Sequence, residues 1–286
     1  MRFASYEVIA SGAQSFGLVE GDELVDLGPW SNGPWTSIRQ LLESPGGLGS
    51  AKEPAKSRKR LALSHVRLVA PLPDARKILC VGLNYDEHRV ETGRPKTEHP
   101  TIFTRFADSL VGHQQAILRP RASTQLDFEG ELAVVIGRSA RQVTEQEALS
   151  VVAGYSCFND GSVRDWQRHT HQYTPGKNFV SSGAMGPFLV SADEVANPAS
   201  LSLETRLNGV QVQHGNTSEM LFSIGRLLAY ITEFTELHPG DIIATGTPGG
   251  VGFKRVPPLF LKHGDVVEVE ISGLGTLRNP VEDEVR

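Results

Sequence analysis

The sequence predicts a β-rich α+β catalytic fold preceded by a small N-terminal α+β domain, and three observations carry that prediction. After Val69 most apolar runs are short, rich in β-branched residues and bounded by Gly, Pro or Asp, as at 77–82, 132–137, 187–190, 241–244 and 266–271. Asn208-Gly209 sits between alternating residues at 204–212, the dipeptide that most strongly marks a tight hairpin. Helical spacing of apolar residues in this part is confined to 87–92, 144–152 and 223–237.

Residues 1–66 read as the small N-terminal domain. Alternating segments at 3–9 and 16–25 predict strands; a Gly/Pro/Trp loop follows, then a short helix near 38–42. The polar stretch 51–60 carries Lys52, Lys56, Arg58, Lys59 and Arg60, and reads as a solvated linker rather than a nucleic-acid patch. Residues 67–286 form the catalytic domain. With 286 residues, 39% hydrophobic and 21% charged, the chain can bury a large core. Its net charge of -5 argues against nucleic acid and anionic membranes and favours a small-molecule partner. No run approaches the ~20 apolar residues that span a bilayer, and the N-terminus lacks a signal-peptide pattern, so the expected location is the cytoplasm. Cys80 and Cys157 lie in apolar stretches and read as buried thiols.

The chemistry concentrates in three segments. In Asp127-Phe128-Glu129-Gly130-Glu131, a strand of period two puts the three carboxylates on one face, anchored by the apolar run behind them. Carboxylates this close repel unless a cation neutralises them, and oxygen-only ligands favour Mg2+, Mn2+ or Ca2+ over zinc. The competing reading is an edge strand whose acidic face meets water. The second segment runs from Asn159-Asp160 to Gln167; if it enters a helix, Asp160, Arg164 and Gln167 fall at i, i+4 and i+7 on one face. A capping Asp paired with an Arg would look the same. In the third, His88 and Glu91 lie three apart on a short helix, the arrangement of a general base oriented by a carboxylate. Arg105 is on a strand leading towards the pocket and could bind a second substrate carboxylate. His169 and His171 lack a third zinc ligand and read as part of a loop over the pocket. The glycine-rich run 246–252 lacks the Gly-Lys-Ser/Thr ending of a phosphate loop and reads as a turn in the pocket wall.

Asn84-Tyr85 with His88 and Glu91, Asp127 to Leu132, Asn159-Asp160 with Arg164-Asp165-Trp166-Gln167, Gly176-Lys177-Asn178-Phe179, Gly186-Pro187 and the run from Thr245 to Gly252 occur in the order of the fumarylacetoacetate hydrolase family, which the chain resembles over 70–283. The N-terminal 66 residues resemble the small domain that precedes it in many bacterial members. The resemblance implies a mixed β-sandwich roll, a homodimer, and Mg2+ or Mn2+ held by Glu129, Glu131 and Asp160. It further implies that His88 and Glu91, on a mobile lid, activate water, and that Arg164, Gln167 and Lys177 stabilise developing negative charge. Thr247 would bind the substrate carboxylate, Tyr85 and Arg105 are further substrate-binding candidates, and Asp127 would have a supporting or structural role. The implied activity is hydrolysis of the carbon-carbon bond of 2,4-dioxo acids, such as fumarylpyruvate or maleylpyruvate, in aromatic or sugar-acid catabolism. Two alternatives use the same enolate: decarboxylation of an oxaloacetate-like acid, or isomerisation of a hydroxymuconate. A non-catalytic 2-oxo acid binding protein would have no use for His88 and Glu91. Where many relatives follow the lysine with Ser/Gly-Phe-Asp-Thr, this chain has Asn178-Phe179-Val180-Ser181, so no single relative's substrate preference carries over.

Overall fold

The strand Gly130–Ile136 is buried along its whole length, and the fold is built around it. The structure is a computed structural model that describes residues 1–285. Gly130–Ile136 lies between Val152–Asn159 and Ile242–Ala244, antiparallel to both, and Ile242–Ala244 in turn pairs in parallel with Ile78–Gly82. These strands belong to a 12-stranded mixed sheet. A five-stranded sheet, ordered Val210–Asn216, Ser202–Leu207, Val266–Ile271, Gly275–Asp283 and Ile117–Arg119, packs against one face.

Period two divides the central strand between two cores. Leu132, Val134 and Ile136 pack with Leu203, Val269 and Leu277 of the smaller sheet and with Leu227, Leu228 and Ile231 of the helix Ile224–Phe234. Ala133 and Val135 face the other way, towards Phe3, Phe16, Ile38 and Leu41. A strand with both faces covered reads as a continuous apolar run rather than an alternating one, as 132–136 does.

Several expected elements are present. Asn208 (φ 54°) and Gly209 (φ 79°) turn the hairpin between Ser202–Leu207 and Val210–Asn216, both in the left-handed region that a two-residue hairpin turn requires. Ser223 caps Ile224–Phe234 by accepting from the Arg226 amide, and Ser37 caps Ile38–Glu43 by accepting from that of Gln40. Two expectations fail. Residues 144–152 form no α-helix; a turn leads to a 3-10 helix at Ala148–Val151, and the β-branched pair Val151-Val152 carries the chain directly into the strand Val152–Asn159. Nor is 51–60 a solvated linker. Ala51 and Ala55 are buried around the short helix Lys52–Ala55, and Arg60 opens a strand that pairs with Glu23–Asp26 while its guanidinium bridges Glu20 and Glu23.

The sheet is continuous across residue 66. Arg2–Val8 pairs with Gln14–Glu20 on one side and, on the other, with Gly183–Ser191 through Arg2 and Phe3 and with Val66–Leu68 through Tyr6 to Val8, so the N-terminal strands extend the 12-stranded sheet. Among the described residues no helix is long and apolar enough to cross a membrane.

Cys80 and Cys157 are buried free thiols. Burial pushes the Cys157 thiol up to about 12 and that of Cys80 well above its ordinary value, where Asp160 and Glu131 add to the effect. Raised values disfavour the thiolate, the reactive form. The folded protein is therefore expected to leave a disulfide reagent such as dithiobisnitrobenzoate unreacted at about pH 8, and to titrate both thiols once guanidinium unfolds it. Fast reaction of either thiol in the native state would contradict this packing.

Candidate active site

Strand pairing creates the centre of the site. Gly130 is registered opposite Asn159, so the residues just outside this pair, Glu129 and Asp160, are neighbours, with the Asp160 amide donating to the Glu129 carbonyl at 2.9 Å. Glu131 is one residue further into the strand. Glu129, Glu131 and Asp160 each offer an oxygen, and the three oxygens lie within 4.8 Å of one another, all on buried residues.

Three buried cations surround this cluster. Lys177, at the end of the short helix Thr174–Lys177, places Nζ 2.7 Å from Glu129 Oε2 and 2.5 Å from Asp160 Oδ2. Arg164 donates through Nε to Asp127 Oδ2 at 2.8 Å and pairs through Nη2 with Glu129 Oε1 at 2.6 Å. Arg105 donates through Nη1 to Asp160 Oδ1 at 2.7 Å and to the Gly161 carbonyl at 2.8 Å. Burial alone would raise the Glu129 pKa, but Arg164 and Lys177 hold the carboxyl well below the usual range. Glu131 has no ion pair among the described residues and accepts only the Gly246 amide, at 2.9 Å. Burial, then Asp160 and Glu129, push its pKa well above the ordinary value.

With Asp127, four buried carboxylates thus face three buried cations, and the uncompensated charge falls on Glu131. An oxygen-only donor set with excess negative charge fits a hard divalent cation and not a thiolate- or imidazole-seeking one.

A cavity of about 310 Å³ opens onto the cluster. Glu129, Glu131, His88, Arg164, Gln167, Lys177 and Thr247 line it. His88 is on the helix Asp86–Thr92, with Nδ1 2.7 Å from Glu91 Oε1, while Glu91 Oε2 accepts the Gly250 amide at 2.9 Å. The glycine-rich run thus fixes Glu91, and Glu91 orients the imidazole, leaving Nε2 for the cavity. Gln167 accepts from Arg164 Nη1 at 3.0 Å, so its amide nitrogen is the end left to donate. The Thr247 hydroxyl donates to the Gly130 carbonyl and accepts from Gln213 Nε2, both at 2.8 Å.

Four sequence expectations need correction. Asp127, Glu129 and Glu131 do not share one strand face, because the strand is interrupted at Phe128 and Glu129. Asp127 turns away to bind Arg164 and the amides of Gly252 and Phe253 at 2.9 and 3.0 Å. Asp160 is not on a helix with Arg164 and Gln167: Ser162–Val163 is a strand paired with Leu126–Asp127, and the helix is only Arg164–Gln167. Arg105 does not face the substrate space. It lies behind the cluster, and its remaining donors go to Ser109 and Ser182, so it fixes Asp160 instead of a substrate carboxylate. Tyr85 is 2% exposed and is not part of the cavity wall; its hydroxyl is buried without a partner among the described residues.

Sequence reasoning missed other wall residues. Phe103, Tyr173 and Phe253 supply apolar surface, and Arg94, Arg168 and Lys254 supply charge. They come from five separate places in the chain with no shared local pattern, apart from Phe253 and Lys254, which directly follow the glycine-rich run.

Residues 77–282 match the family model described as fumarylacetoacetate (FAA) hydrolase C-terminal. The mitochondrial oxaloacetate tautomerase of Xenopus laevis is 38% identical, across 98% of this chain and 90% of that protein. Among solved structures, the fumarylacetoacetate hydrolase of Exiguobacterium antarcticum superposes with a TM-score of 0.86 at 36% identity, across 99% of this chain and all of that one. The maleylpyruvate hydrolase of Sphingobium sp. SYK-6 does so with a TM-score of 0.82 at 28% identity and the same coverage. With a family model matched over most of its length and the motif residues gathered around one cavity, the chain belongs to the fumarylacetoacetate hydrolase family.

Proposed function

We propose that this chain is a divalent-cation-dependent enzyme that interconverts the keto and enol forms of a 2-oxo dicarboxylate, with oxaloacetate the first substrate to test. The observation that carries the reading is a single His-Glu base in the wall of a cavity whose deep cations, Arg164 and Lys177, are already engaged by carboxylates. Tautomerisation breaks a C3–H bond, moves its electrons into a C2–C3 double bond and places a proton on the 2-oxo oxygen. One base suffices for this, together with an electrophile at the oxygen. His88 is the one imidazole among the described residues of the wall, and Glu91 stabilises it when it takes the proton. Glu129, Glu131 and Asp160 would hold Mg2+ or Mn2+, which supplies the electrophile by polarising the 2-oxo group. Lys177, Arg164 and Arg105 hold Glu129 and Asp160 in place. The likeness to an oxaloacetate tautomerase over nearly the whole chain supports the same reading.

Hydrolysis of acylpyruvates is the second reading. There the His88-Glu91 pair would deprotonate water, and the tetrahedral oxyanion would need further donors. Arg164 is engaged by Asp127 and Glu129, and Lys177 by Glu129 and Asp160, which leaves the Gln167 amide. That free amide and the likeness to a maleylpyruvate hydrolase favour it; the engaged cations favour tautomerisation.

Ketonisation of enol-oxaloacetate, followed by loss of the enol's ultraviolet absorbance, should stop in excess EDTA and return with Mg2+ or Mn2+ more fully than with Zn2+. Undiminished turnover in EDTA would sink the cation-dependent mechanism.

His88→Ala should lower kcat for ketonisation on the order of a hundredfold, the scale of general-base catalysis. Glu91→Gln keeps the side-chain shape and should lower kcat less, with near-normal affinity for oxalate. Pyruvate release from maleylpyruvate, measured in the same samples, separates the readings. If wild-type protein hydrolysed maleylpyruvate but left enol-oxaloacetate at its spontaneous rate, hydrolysis would replace tautomerisation as the function.

A further inference from the structure

The cavity has two electrostatic ends. Its deep end is the carboxylate cluster, and its wall further out carries the exposed side chains Arg94, Arg168 and Lys254. None of these three is ion-paired to an acidic side chain among the described residues, and the one side-chain hydrogen bond of Arg168 goes to the neutral Gln125 Oε1 at 3.2 Å. The Phe253 ring ties the two ends together: the guanidinium carbon of Arg164 is 4.3 Å from its centroid, that of Arg168 is 5.8 Å away, and Lys254 Nζ is 5.4 Å away. Arg164 in turn touches Glu129. Phe253 is held in place by its amide, which donates to Asp127.

An aromatic face attracts cations without neutralising them, so the charge of Arg168 and Lys254 remains available to a ligand. Like charges gathered at a cavity wall beside low-dielectric rings repel one another and focus a positive potential into the opening. No carboxylate other than the deep pair lines the cavity among the described residues. A ligand that fits both ends carries a cation-chelating 2-oxo acid at one terminus and a second anion at the other.

We infer that Arg168 and Lys254, with Arg94 in the wall of the same cavity, form a distal anion subsite that binds the far carboxylate of a dicarboxylic 2-oxo acid, so that the cavity selects 2-oxo dicarboxylates over 2-oxo monocarboxylates of equal length. The inference rests on the reading above that the deep cluster seats the 2-oxo acid end, and it makes the substrate's second charge a requirement for tight binding rather than for reaction.

The test is calorimetric, on Mn2+-loaded protein, with 2-oxoglutarate and 2-oxopentanoate, which share a chain length and differ by a terminal carboxylate against a methyl group. Oxalate, which has only the chelating end, is the control. Wild-type protein should bind 2-oxoglutarate about tenfold more tightly than 2-oxopentanoate, the combined effect expected of two exposed charge pairs. The double variant Arg168→Gln, Lys254→Gln should bring the two affinities together while its oxalate affinity stays within about twofold of wild type. Both side chains are exposed, so folding should be unaffected. Equal affinities in the wild type, a preference that survives the double substitution, or failure of oxalate to bind would each overturn the subsite. Enol-oxaloacetate turnover in the same samples keeps the two ideas apart: a preserved dicarboxylate preference without tautomerase activity sinks the reaction and leaves the subsite standing.

Discussion

Buried negative charge is the constraint on which this structure turns. Asp127, Glu129, Glu131 and Asp160 are each at most 5% exposed, and moving a carboxylate out of water costs several kcal/mol even after relaxation. Arg105, Arg164 and Lys177 offset most of that cost, and each reaches the cluster from a different part of the chain. Removing one partner of such a pair typically costs about 3–5 kcal/mol, because it strands the other charge. The cluster therefore holds the strands, the short Lys177 helix and the strand bearing Arg105 in one arrangement. Glu131 is the exception: it has no ion pair among the described residues, and a bound cation would supply the missing partner.

Such a centre needs a backbone that brings groups closer than side chains normally allow. Gly246 has φ 105°, a conformation costly for any residue with a Cβ, and in it the amide points at Glu131. At Gly161 a Cβ would come 1.8 Å from the Ser182 carbonyl, so only glycine lets this chain pass while its own carbonyl accepts from Arg105. These glycines serve the site geometrically, and the doubly covered strand Gly130–Ile136 gives them a rigid support.

How much of this was legible in the sequence depended on whether the signal was local. The Asn208-Gly209 turn, the helix that follows Ser223 and most of the strands are written in adjacent residues and are present, although 16–25 is split into the paired strands Gln14–Glu20 and Glu23–Asp26. The carboxylates were visible as residues, but their geometry was not. Asp160, Arg164 and Gln167 fit a helical spacing, yet Arg164 reaches the cluster because Ser162–Val163 pairs with Leu126–Asp127, a contact that no periodicity within 160–167 encodes. Arg105 looked like a substrate ligand because its partner Asp160 is 55 residues away in the chain, and an arginine without a visible partner resembles a free one. The same distance hid the ring of Phe253 and the cations around it.

The two ends of the cavity differ in how their charges are held, and this divides chemistry from selectivity. At the deep end every cation is buried and committed, so its geometry admits little change without loss of the fold. The outer cations are exposed and, among the described residues, not ion-paired. Substitution there is cheap in stability, typically within about 0.5 kcal/mol for surface positions. A chelating centre with one adjacent base serves tautomerisation, and with a positioned water it would serve hydrolysis as well, so the deep end alone does not name a substrate. The outer wall, where replacement costs least, is where one member of the family can come to differ from another in what it accepts.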